Sequence, residues 1–282
     1  MSKLYVNVDI NSIVQPVLSR LNNRDDFCTE MLYPVVDIYR PLGVTDLIFN
    51  VFCQLSASRS SVWTDLVDKY HIKEELGKPV DYSGQFEYIH TFNKYGVDHF
   101  KVWIERCKQV GINPWISLRM NDCHEPFTET SIFRSEFYFE AKEKGWLLGE
   151  EYDYYQICYN YKIPEVREKM LSYIREQIFR YDVYGLELDF LREAKCFKFL
   201  TEDMQECRNV MTDFIASVRS ITKDAAKAFG HDIKLLVRLP RDIRQCELLG
   251  FDPIVWSERN LVDIINTSPR FSSNDSGIPI EE

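Results

Sequence analysis

Several common signatures are missing from this chain, and each absence removes a class of function. No C-x-x-C pair occurs among the eight cysteines, Cys28, Cys53, Cys107, Cys123, Cys158, Cys196, Cys207 and Cys246. With no leader ahead of them, they read as buried free thiols rather than a disulfide framework or a zinc ribbon. No Gly-rich loop follows any expected strand, which weighs against nucleotide binding. No G-x-S-x-G elbow exists, which weighs against a Ser-His-Asp hydrolase. Basic residues are outnumbered, 34 against 44 acidic, for a net charge of −10. With no basic stripe, neither nucleic acid nor an anionic membrane surface is an expected partner. No run of about 18 apolar residues is present to cross a bilayer. The N-terminus carries no signal-peptide pattern, so the chain as written is cytoplasmic, or secreted or periplasmic if a leader has been removed.

What is present is an alternation of strand and helix patterns. Residues 3–8 read as a strand ending at Asp9, and 25–39 as a helix with Met31, Leu32, Val35, Val36 and Tyr39 on one face. Residues 46–54 form a strong strand, followed by a long irregular stretch over 55–84. A helix capped by Asp98 runs to Val110, and a strand covers 112–121. An aromatic-rich excursion over 127–162 precedes a helix with Pro164 at its first position. The next strand holds Tyr184 to Glu193. A long helix begins at Thr201, and strands follow over 233–239 and 261–268. Strand and helix in turn mean right-handed crossovers and a parallel sheet. No linker divides the chain, so one domain spanning 1–282 is expected.

Polar residues intrude near the C-terminal end of one strand after another: Asp9, Asn50, Gln54, Ser117, Arg119, Asn121, Glu187, Asp189, Arg238 and Asn266. Within a strand they fall at i, i+2, so they share a face. A closed barrel explains the pattern, because one face lines its centre and the upper layer becomes the floor of a site. Glu187 and Asp189 stand out. Two carboxylates on one face of a poorly solvated floor repel, so one is held protonated, as acid/base glycoside hydrolysis requires. A buried ion-pair network that only fixes the barrel interior is the competing reading. For Arg119 and Arg238, clamping of a substrate and plain charge balance stand side by side. Trp146 and the run Tyr152 to Tyr155 either wall a sugar site or pack the loop. The five histidines, His71, His90, His99, His124 and His231, are scattered. The expected site therefore holds no metal and no cofactor, and a metal-dependent hydrolase is the third-ranked reading.

The segment Ser117-Leu118-Arg119-Met120-Asn121-Asp122 resembles the S-x-R-M-N-D strand of a family of glycosyl-hydrolase-like TIM-barrel proteins from Bacteroidetes and Planctomycetes. Tyr184 to Arg192 is similar to that family's D-G-[IL]-E-L-D-[FW]-x-R, and Pro164 to Arg167 and Ser268 to Phe271 add to the likeness. The resemblance implies an α/β fold of the (β/α)8 TIM-barrel type, with about six of eight strands present and the barrel incomplete. It implies a glycoside hydrolase acting on a glycoside or polysaccharide, with Asp189 or Glu187 as acid/base. Asp9, Asn50, Arg119, Asn121, Asp122, Arg192, Arg238 and Asn266 would position the substrate. The alternative is a non-catalytic carbohydrate-binding or vestigial barrel fragment. In the family, the segment ending at Glu282 leads into a further helix and two more strands, which sets up an expectation of truncation. An open barrel edge would favour self-association.

Overall fold

The structure, a computed structural model, describes residues 3–9, 28–69 and 92–269. Its strands are β1 (Tyr5–Val8), β2 (Asp46–Cys53), β3 (Leu55–Ser56), β4 (Asn113–Arg119), β5 (Gly185–Asp189), β6 (Lys234–Pro240) and β7 (Ile264–Ser268). Six of them form one parallel path in the order β1-β2-β4-β5-β6-β7, and β3 pairs back on β2. Every parallel neighbour is therefore also the next long strand in the chain, the winding of a (β/α) barrel. Among the described residues β1 and β7 do not pair with each other, so the path is curled but open.

The helices are α1 (Pro34–Asp37), α2 (His99–Val110), α3 (Glu136–Glu143), α4 (Pro164–Arg180), α5 (Met204–Phe229), α6 (Ile243–Leu248) and α7 (Pro253–Glu258). Local chemistry sets their ends. Asp98 accepts from the Lys101 N–H at 3.1 Å, and Gly111 stops α2 in the left-handed region at φ 78°. Pro164 opens α4, where its missing N–H costs nothing. No helix among the described residues is long and apolar enough to cross a membrane.

Three sequence expectations need correction. The helix expected over 25–39 is, in its described part, a 3-10 turn at Thr29–Leu32 followed by the single turn α1. Pro34 interrupts it, because it lacks the donor that would continue the ladder. The strand expected to reach Gln54 ends at Cys53. Gln54 takes φ 58°, and the chain doubles back so that Cys53 faces Leu55. The long helix starts at Met204 instead of Thr201, since the Asp203 carboxylate caps it by accepting from the Gln205 N–H at 2.8 Å. Residues 25–27, 70–84, 270–271 and 279–282, on which other expectations rest, lie outside the described residues.

The two faces of the sheet differ. Ile116, Leu118, Met120, Leu186, Leu188, Val237 and Leu239 lie on the helix side, in a core shared with Trp103, Ile174, Phe214 and Ile215. The concave side carries a smaller apolar layer of Ile48, Trp115 and Leu236, flanked by Tyr5, Tyr184 and Ile264. Trp115 closes the base of the barrel interior. Its indole N–H donates to the buried Asp46 at 2.9 Å. Its ring lies across Gly185, where an added Cβ would come within 2.2 Å of it. Above this layer the concave face turns polar.

Candidate active site

The polar layer is assembled by strand register. β4 and β5 pair Ser117 with Glu187 and Arg119 with Asp189, and β5 and β6 pair Asp189 with Arg238. Arg238 in turn faces Asn266 of β7. Since side chains alternate along a strand, all six point into the concavity at the C-terminal end of the sheet.

Glu187 sits lowest and is fully buried. Its Oε1 accepts from Ser117 Oγ at 2.6 Å and from Asn7 Nδ2 at 2.5 Å. Asn7 lies on β1, so this bond crosses the concave face and records the curl of the sheet. Glu187 Oε2 is buried with no hydrogen-bond partner among the described residues. Burial pushes the Glu187 carboxyl up to about 7, with the nearby Asp189 charge adding to the rise. With Oε1 already accepting two bonds, the proton belongs on Oε2.

Asp189 sits one layer higher. Its Oδ1 accepts from the Arg192 backbone N–H at 3.0 Å, and its Oδ2 faces Arg238 Nη1 at 3.5 Å. Among the described residues Asp189 is the one carboxylate lining a cavity of about 230 Å³, together with Asn7, Asn50, Arg119, Leu191, Arg192, Arg238 and Pro269. Asn50 also braces an irregularity within β2, accepting from the Phe52 N–H at 3.0 Å where the β2–β4 register shifts.

Behind the cavity Asp122 is a hub. Its Oδ2 meets Arg119 at 3.1 Å, and its Oδ1 meets Arg192 at 3.5 Å, His124 at 3.0 Å and the Cys123 N–H at 2.9 Å. Burial alone would raise this carboxyl. The His124 ring and the two guanidiniums outweigh burial and hold it well below the usual carboxylate range. Arg119 reaches on to Asp9 at 2.6 Å, tying the end of β4 to the end of β1.

Of the ten residues expected at the site, Asn50, Arg119, Asp189, Arg192 and Arg238 line the cavity. Glu187 lies beneath it, and Asp9 and Asp122 stand behind Arg119. Asn266 is exposed on the edge strand beside Arg238. Asn121 is placed elsewhere. Its amide donates to the Tyr159 and Lys195 carbonyls at 3.2 and 2.9 Å and accepts from the Tyr159 N–H at 2.9 Å, so it pins two loops together. Sequence reading missed Asn7, although the period-two spacing Tyr5, Asn7, Asp9 marks it. The aromatic excursion divides. Tyr152 and Trp146 pack against Phe199 and Phe137, while Tyr155 borders a second cavity of about 290 Å³. Among the described residues no group of three or more His, Cys, Asp or Glu side chains is placed to hold a metal ion.

No family model and no curated protein matches the chain. Solved structures do. One is a glycoside hydrolase family 18 N-acetylglucosaminidase from Paenibacillus barengoltzii, at TM-score 0.44 and 10% identity over 95% of this chain and 53% of that one. Another is an Anoxybacillus alpha-amylase, at TM-score 0.45 and 13% identity over 91% of this chain and 53% of that one. A cell-surface chitinase from a Paenibacillus species aligns at TM-score 0.47 and 8% identity, over 94% of this chain and 24% of that one. The chain thus spans about half the length of the first two and a quarter of the third. At such scores no residue role passes from them to this chain, and the barrel-type fold rests on the sheet itself.

Proposed function

We propose that the chain is a glycoside hydrolase-like protein that takes a glycoside or polysaccharide into the cavity at the C-terminal end of its sheet. The observation that carries this reading is the stacked pair of Asp189 and Glu187. Asp189 faces the cavity, held by the Arg192 N–H and Arg238, and Glu187 lies buried under it with its proton retained to about pH 7. A carboxyl that keeps its proton to about neutral pH beside a second carboxyl that faces the cavity is a combination that acid/base cleavage of a glycosidic bond can use. Asp189 acts at the sugar. Glu187 acts through it, since a neutral carboxyl below leaves Asp189 without a like charge to repel it.

A second reading is binding without turnover. It draws on the cavity lining, which among the described residues presents a single carboxylate where hydrolysis uses two on opposite sides of the bond. A panel of aryl glycosides and polysaccharides, assayed for both retention and product release, tests the two together. Release supports the first reading, retention without release the second, and neither contradicts both.

A further inference from the structure

The wall that a ligand would meet in this cavity is cationic, although the protein carries a net charge of −10. Among the described residues, Arg119, Arg192 and Arg238 line it against one carboxylate, Asp189. Of the carboxylates paired with these arginines, Asp122 and Asp189 are nearly buried, and Asp9, the partner of Arg119, is part exposed. The Asp122 and Asp189 side chains are 1% and 5% exposed, whereas those of Arg192 and Arg238 are 30% and 32% exposed. A guanidinium offers five N–H donors and no acceptor. Among the described residues the Arg192 and Arg238 guanidiniums each make one hydrogen bond, both at the long limit of 3.5 Å. Both side chains are about a third exposed, so they remain within reach of a ligand in the cavity. The second cavity shares Leu191, Arg192 and Pro269 with the first and adds Lys195 and Arg241 against Glu193. Basic groups therefore run across both cavities.

Sugar hydroxyls can accept from the three guanidiniums, but as neutral groups they gain less from them than an anion does. A carboxylate gains a great deal, because the guanidinium fork fits its two oxygens and the hydrogen bonds are charge-assisted. We infer that the site selects an acidic saccharide, with the carboxylate of a uronic-acid unit seated between Arg192 and Arg238. This rests on the carbohydrate reading of the cavity. It adds the charge of the sugar, which that reading leaves open.

The test is binding of the full chain to an array of uronic-acid oligosaccharides, their methyl esters, sulfated oligosaccharides and neutral oligosaccharides. Wild type, Arg192→Gln, Arg238→Gln and Arg238→Lys are compared, each checked for a native melt. Uronates are expected to bind at least roughly tenfold more tightly than their esters. Each Gln variant loses most of that preference and Arg238→Lys keeps part of it. The preference shrinks as salt rises from about 50 to about 500 mM. Esters and neutral sugars binding as well as uronates would overturn the inference while leaving the carbohydrate reading in place. Sulfated sugars binding in preference to uronates would overturn the carboxylate assignment. Binding of no member by folded protein would remove the carbohydrate reading and this inference together.

Discussion

Asn7 donates to Glu187 across the concave face at 2.5 Å, joining residues 180 positions apart. The bond links the first strand of the path to the fourth. It leaves Glu187 with one oxygen doubly bonded and the other buried without a partner among the described residues. The rise of the Glu187 carboxyl to about 7 follows from that burial first and from the Asp189 charge second.

A pH dependence of stability follows. The folded value lies above the unfolded one, near 4.5. The folded protein therefore holds the proton more tightly, and the contribution is complete below about pH 4.5. It is lost as pH rises through about 7, so Glu187 weakens the fold between these limits. The loss is on the order of 3 kcal/mol. Melting temperatures of wild type and Glu187→Gln at pH 5 and pH 8 check this. The variant should lack the alkaline loss, and parallel curves would contradict the assignment.

Asp122→Asn removes the carboxylate that holds Arg119, Arg192 and His124. Arg119 is buried and would keep only its contact with Asp9. Breaking a buried pair on one side costs about 3–5 kcal/mol. Urea denaturation measures the loss. A change within about 0.5 kcal/mol would mean that Asp122 is not the anchor described.

Gly185→Ala places a methyl group inside the Trp115 ring. Overpacking of this kind costs about 1–3 kcal/mol, or more when the neighbour cannot move. Trp115 has little room, since it is fully buried and bonded to Asp46. The variant should melt below wild type, with its tryptophan emission altered. An unchanged melt would show that Trp115 does not cover Gly185.

These relationships mark how far sequence reading reached. Strand and helix order was legible because period-two and period-3.6 patterns are strong in buried strands and amphipathic helices. So was the shared face of Glu187 and Asp189, which depends only on spacing along one strand. The break at Pro34 was masked by an apolar pattern that fits a helix equally well. The links Asn7 to Glu187, Asp122 to Arg192 and Trp115 to Gly185 depend on which strand lies beside which and in what register. No local pattern states that. Asn121 misled for the same reason, since its partners are backbone groups of loops distant in sequence.

The cysteines give a separate check. All eight are free, and of them Cys28 alone is exposed. Cys123 and Cys158 lie with their sulfurs 3.1 Å apart, and burial holds the Cys158 thiol well above its usual range. An aromatic disulfide reagent should react quickly with one thiol in the native protein and with eight after unfolding. Three or more fast thiols in the native state would contradict the packing of these loops.

The most direct measurement of the central claim is product release from the glycoside and polysaccharide panel by wild type and by Asp189→Asn at matched folded concentration. Asp189 is the one carboxylate among the described residues that lines the cavity, and a general acid or base is worth about 10²–10⁴-fold in rate. The account predicts release by wild type and a loss of at least about 10²-fold in the variant, with its melt retained. Release that survives Asp189→Asn undiminished would contradict it.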